Sequence, residues 1–137
     1  MDVKINLVAV LLATVSSIVV GMIWYHPSVL GGKWTALAKI NPKKGSMSWS
    51  MGSVIVSSFI MAYVLAHVSF LANQFFQNSF MYDTLMTGFW LWLGFQGPRM
   101  FMHDQFNQRR KKETLIHMGN DLVTILVMAL VIGAIGL

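Results

Sequence analysis

The chain has 137 residues, 55% of them hydrophobic and only 11% charged, with a mean hydropathy of +0.61. Soluble domains carry about 25% charged residues, so composition excludes an ordinary soluble fold and assigns the apolar surface to lipid. The absence of cysteine excludes disulfides, thiolate metal sites and cysteine nucleophiles, and the net charge of +5 sits in loops beside apolar stretches, where anionic lipid headgroups rather than nucleic acid are the expected partner.

Four apolar stretches, about 5–25, 51–71, 84–102 and 115–137, are separated by three polar gaps. As helices, each is roughly 30 Å long, the thickness of a bilayer's hydrocarbon core. The expected fold is all-α: one domain over residues 1–137, an integral membrane bundle of four transmembrane helices. The first stretch carries only Lys4 on its leading side and no small-x-small cleavage site, so it is expected to be retained rather than cleaved.

The first stretch begins near Asn6 and ends at Trp24-Tyr25-His26-Pro27, because a proline disfavours helical geometry at the residue before it. Trp24 and Tyr25 suit the headgroup level. Ala9, Ala13, Ser17 and Gly21 recur every fourth residue as a stripe for close helix approach. In the first gap Leu30, Trp34 and Leu37 share a face if residues 28–40 are helical. That predicts a short interfacial helix with Lys33 and Trp34 among the headgroups, stopped by Asn41-Pro42 and turned by Lys43-Lys44-Gly45-Ser46.

The second stretch has its own small stripe, Ser58, Ala62 and Ala66, and His67 reads as a packing or interface residue. The second gap, 72–83, has Asn73, Gln74, Gln77, Asn78 and a single acid, Asp83. The third stretch is rich in aromatics and meets Gly97-Pro98-Arg99, where Pro98 predicts a kink and a carbonyl without its helical donor. Arg109-Arg110-Lys111-Lys112 follows, as a topology and headgroup determinant. The last stretch carries Ala129-x-x-x-Gly133 as a packing notch. The eleven methionines read as adaptable packing. The small stripes predict a homo-oligomer, a dimer or trimer.

Eight of the ten Lys and Arg lie in the first and third gaps and none in the second. By the positive-inside rule those two gaps face the cytoplasm and both termini lie outside, as expected for a bacterial inner-membrane protein.

Gly21-Met-Ile-Trp24-Tyr25-His26-Pro27 followed by Gly31-Gly32-Lys33-Trp34 resembles the signature of the DUF1761 family. Asn6 and Trp92-Leu93-Gly94-Phe95 are similar to its pattern as well, and His26 stands where that pattern has a small polar residue. The resemblance implies a small four-helix bacterial membrane protein over nearly the whole chain, and it supplies no catalytic residue.

The orientation gathers Trp24, Tyr25, Arg99, His103, His117, Asn120 and Asp121 near the cytoplasmic face. Charges in hydrocarbon cost about 2.5–3.5 kcal/mol at mid-bilayer and normally pair or face a cavity. Arg99 and Asp121 are expected to pair across helices, or Arg99 to snorkel while Asp121 caps the start of the last helix. Glu113, His117 and Asp121 lie four apart, with His103 within reach, as weak metal candidates. No paired-carboxylate site follows, since Asp2 and Asp83 belong to the outer side and Asp104, Glu113 and Asp121 to the inner. No nucleophile elbow, phosphate loop or zinc-protease motif is present, and no cofactor is implied. Three functions fit. One is an assembly protein binding a lipid or small ligand near the cytoplasmic face. Another is a channel or transporter with Arg99, Asn120 and Asp121 along its path. A third is an intramembrane enzyme using His103, His117 and Asp121.

Overall fold

The computed structural model describes residues 3–38 and 47–136. Asp2, Lys39, the Asn41-Pro42 stop, the Lys43–Ser46 turn and Leu137 lie outside the described residues. Every element among the described residues is helical: α1 (Leu7–Trp24), a π turn (Pro27–Gly31), α2 (Gly32–Ala38), α3 (Met47–Phe76), α4 (Phe80–Leu91), a second π turn (Trp92–Gln96), α5 (Gly97–Phe106) and α6 (Lys111–Ile135). Three of these, α1, α3 and α6, are long and apolar enough to cross a membrane.

Asn6 starts α1 as its N-cap. Its Oδ1 accepts from the amides of Val8 (3.1 Å) and Ala9 (3.3 Å), two donors that the first helical turn leaves over. The third apolar stretch is not one α-helix. Pro98 has no N–H to give, and the chain accommodates it by widening into the π turn, where the Gly97 amide donates to the Trp92 carbonyl five residues back. The predicted kink is thus a local change of helical period. The helices also run past their apolar edges. α6 begins at Lys111, and α3 extends from Met47 to Phe76 with α4 starting at Phe80, so the second gap shrinks to Gln77-Asn78-Ser79.

Packing partners fix the directions. Trp24, at the end of α1, touches Ile116 and Gly119 near the start of α6. Met81 of α4 lies against Gly133 of α6, while Asp104 of α5 bonds Thr114 of α6. Both pairs are therefore antiparallel, and α3 runs antiparallel to α4 through the Asn73–Asp83 contact. α1 and α4 each pack on both α3 and α6, which closes a ring. Its centre is Val10 and Ala13 of α1, Ala62, Leu65 and Ala66 of α3, and Ile125, Met128, Ala129 and Ile132 of α6.

That core takes in the small stripes except Gly21, which has open space where a Cβ would stand. Ala9, Ala13 and Ser17 are buried inside the chain, as are Ser58, Ala62 and Ala66, and the Gly133 notch receives the main chain of Met81. The stripes consequently carry no argument for a homo-oligomer. Several hydroxyls in this apolar interior are satisfied locally: Thr14 donates to the Val10 carbonyl (2.8 Å), Ser17 to Thr14 (2.8 Å) and Thr84 to Phe80 (2.7 Å). The outer surface of α1 and α3 is apolar, with Leu7, Leu11, Val15, Met22, Val54, Val56 and Ile60 exposed.

Candidate functional site

The end of the ring that holds the basic segments is built by the Gly-x-x-Trp-Tyr-x-Pro and Gly-x-x-Trp segments. Pro27 opens the first π turn, and His26 caps it: its Nδ1 accepts from the Ser28 amide at 3.3 Å. The Gly31 amide then donates to the His26 carbonyl at 3.0 Å. A Cβ at Gly31 would overlap the carbonyl group of Tyr25, so only glycine lets the turn close this tightly. The closure folds α2 back against α6.

Its product is a cluster around His117. The Trp34 indole donates to His117 Nε2 at 3.2 Å, and the Tyr25 hydroxyl lies 2.7 Å from Nδ1. An indole N–H only donates, so Nε2 is an acceptor and carries no proton. In the neutral ring the proton is then on Nδ1, which donates to the Tyr25 oxygen. Glu113, one turn earlier on α6, has Oε1 3.9 Å from Nε2. The Tyr25 and Trp34 rings pack at 5.0 Å, tilted by 57°. Trp24 adds a further tie, donating to the Ile116 carbonyl at 3.2 Å with its ring over Gly119.

His117 and Arg109 stand between two open clefts. The first, about 590 Å³, is walled by Trp34, Leu37, Asn107, Arg109, Glu113 and His117. The second, about 500 Å³, lies between α5 and α6, with Phe95, Gln96, Arg99, His103 and Asp121 among its walls. Arg99 and Asp121 share this cleft yet form no ion pair within 4 Å, and Arg99 has no hydrogen-bond or ion-pair partner among the described residues. On the wall of the same cleft, buried Asp104 accepts from the Thr114 hydroxyl at 2.9 Å, with Arg109 at 3.7 Å and His103 at 3.9 Å. Deeper along α6, Asn120 Oδ1 and Thr124 Oγ1 are buried without partners among the described residues, as is Gln96 Oε1 on the second π turn, which packs against α6.

Several expectations change. The Arg99–Asp121 pair does not form. Asp121 caps nothing: α6 begins ten residues before it. The four metal candidates do not converge, and among the described residues no three histidines or carboxylates could hold an ion. His103 is exposed and takes Asn107 at 2.9 Å, while both nitrogens of His117 are engaged. Trp34 turns inward to His117, while Lys33, Arg110, Lys111 and Lys112 stay exposed. His67 stands beside Tyr63, ring to ring at 6.4 Å. Sequence reasoning missed Gln96, Asp104 and Thr114 as site residues; only the short hairpin between the last two gave a signal.

The model of the family described as "Protein of unknown function (DUF1761)" matches residues 8–133, and the chain belongs to that family. No match was found among curated proteins or among solved structures.

Proposed function

For this member of the DUF1761 family, we propose an integral inner-membrane protein that binds a phosphate-bearing lipid headgroup or a similar small anion in the α5–α6 cleft. In this reading α4, the π turn and α5 together form a fourth crossing beside α1, α3 and α6. The basic first and third gaps face the cytoplasm, with both termini outside. Because the chain has no cysteine, single cysteines placed at Lys112 and at Asn78 report topology cleanly. Labelling of Lys112→Cys by an impermeant maleimide added outside intact cells would sink the orientation.

One observation carries the binding reading: Arg99 sits in a cleft at the basic end without an acidic partner among the described residues. A guanidinium at lipid depth is costly when unpaired and makes short, strong bonds to phosphate. The exposed Arg110, Lys111 and Lys112, which follow Arg109 of the cleft wall in the chain, raise the local concentration of anionic lipid. Native mass spectrometry of the purified protein with phospholipid tests the reading. Arg99→Gln should lower lipid occupancy by roughly fivefold or more, about 1 kcal/mol. Equal occupancy in the variant overturns it.

A second reading, a channel or transporter, is favoured by a separate observation. Gln96, Asn120 and Thr124 present unpartnered buried oxygens beside the π turn and the Gly97-Pro98 break. Interrupted helices with free polar atoms at membrane depth are a way to hold a passing solute. Ion or solute flux into proteoliposomes, abolished by Asn120→Leu, is its expected signature; tight vesicles in every solute tried would remove it.

A further inference from the structure

Arg99 and Asp121 carry opposite charges, wall one cleft of about 500 Å³, and stay more than an ion-pair distance apart. Two such groups at the edge of a low-dielectric region gain from partners of opposite sign. A ligand that is only anionic would satisfy Arg99 and be repelled by Asp121. Gln96 adds a second requirement. Its Oε1 is buried without a donor, on the wall of the same cleft. A buried acceptor left unpaired is unfavourable, so Gln96 gains wherever a ligand in the cleft brings an N–H or O–H to it.

The walls change character on moving away from Arg99. Phe95 and Gln96 also line a second cavity, about 260 Å³, whose other walls are apolar, among them Ile60, Val64, Leu65 and Leu91. Leu91 and Phe95 continue into a third, about 470 Å³, between α3 and α4 beside Val68, Ala72 and Met86. From Arg99 to Met86 this is thirteen residues, roughly 20 Å of helix. One leaflet's hydrocarbon depth is about 15 Å, half of the core. The groove is therefore polar with both signs at one end and mainly apolar from there towards Met86, with Thr87 among its walls.

We propose that this groove holds an aminophospholipid: its phosphate on Arg99, its primary ammonium between Asp121 and Gln96, and one acyl chain past Phe95 along α3 and α4. The proposal rests on the phosphate-binding reading of the cleft and adds the ligand's class. An ammonium with N–H groups serves Asp121 and Gln96 together. A trimethylated ammonium cannot donate to Gln96, and a glycerol headgroup brings no positive charge to Asp121.

The test is competition in native mass spectrometry. Purified protein is offered equal amounts of phosphatidylethanolamine, phosphatidylglycerol and phosphatidylcholine with identical chains. The ethanolamine lipid should be retained at least about fivefold over each of the others, about 1 kcal/mol. Asp121→Asn, nearly isosteric, should abolish the preference over phosphatidylglycerol, while Arg99→Gln should weaken all three lipids. Wild-type protein needs no variant to decide: no preference for the ethanolamine lipid overturns the proposal. If Arg99→Gln still lowers binding in that case, the phosphate-binding reading survives alone; if it does not, both fall. A preference that persists in Asp121→Asn also overturns the assignment of the ammonium. Free phosphoethanolamine competing as well as the intact lipid overturns the placement of the chain.

Discussion

The indole N–H of Trp34 meets Nε2 of His117 at 3.2 Å, and this one bond sets the tautomer of the ring and ties α2 to α6. Protonation of His117 places a hydrogen on Nε2, which can then no longer accept from Trp34 and faces Glu113 Oε1, 3.9 Å away. The charged and titratable groups around the ring are Glu113 on its own helix, Tyr25 at the end of α1, and Asp104 and Arg109 from the α5 side. Lowering the pH through the histidine range should therefore loosen α2, at the cost of one neutral hydrogen bond, about 0.5–1.5 kcal/mol. Tryptophan emission should shift to the red over that range in the native protein. Trp34→Phe should remove the shift. A shift that survives in Trp34→Phe means another tryptophan is reporting.

Gly31 makes the return of α2 possible, because a Cβ there would overlap the Tyr25 carbonyl. Gly31→Ala must open the π turn and should cost roughly 1–3 kcal/mol, as overpacking does. Gly119→Ala sets a Cβ 3.1 Å from the Trp24 ring, whose side chain can give, so its effect should be smaller. Thermal unfolding in detergent ranks the two. A Gly119→Ala variant less stable than Gly31→Ala would show that Trp24, and not the turn, is the rigid element.

The chain's helices were legible wherever their ends coincide with a cap or a proline. α1 ends where expected because Asn6 caps it and Pro27 stops it. α3 and α6 run beyond their apolar runs because polarity marks where hydrocarbon ends, whereas a helix ends where its hydrogen bonds do. That difference moved Asp121 from the start of a helix to its third turn and took away its role as a cap. The π turn at Trp92–Gln96 left no trace in the hydrophobic pattern, although Gly97-Pro98 marked the place. Glu113 and His117 were legible from their i, i+4 spacing. The bond between Trp34 and His117 spans 83 positions, and no local pattern carries it.

Thr114 and Asp104 hold α5 to α6 through a bond from hydroxyl to carboxylate of 2.9 Å in a buried setting. Hydrogen bonds to charged groups contribute about 1.5–3 kcal/mol. Thr114→Val keeps the shape and removes the donor, and should destabilise by that amount. Asp104→Asn in the Thr114→Val background should cost less than it does alone, since the carboxylate has already lost its closest partner. Additive losses in the double-mutant cycle would show that Arg109 and His103 satisfy Asp104 without Thr114.

At the opposite end, Asp83 is buried at the start of α4 and held by two amides, Asn73 Nδ2 at 2.8 Å and Asn78 Nδ2 at 3.0 Å. Asn73 also donates to the Asn78 carbonyl at 2.9 Å, which closes the tight turn where Gln77 takes a positive φ of 57°. The α4 N-terminus assists, since a carboxylate in a first helical turn is stabilised by the helix dipole. Asn73→Ala removes one amide from each acceptor and should cost about 1–3 kcal/mol. Asn73→Asp has the same shape but sets a second carboxylate against Asp83, so it should cost more than alanine does. Unfolding of the two variants in detergent at neutral pH decides between a hydrogen-bonded clamp and a simple space-filling turn. In the second case aspartate, the near-isostere, would be the milder change.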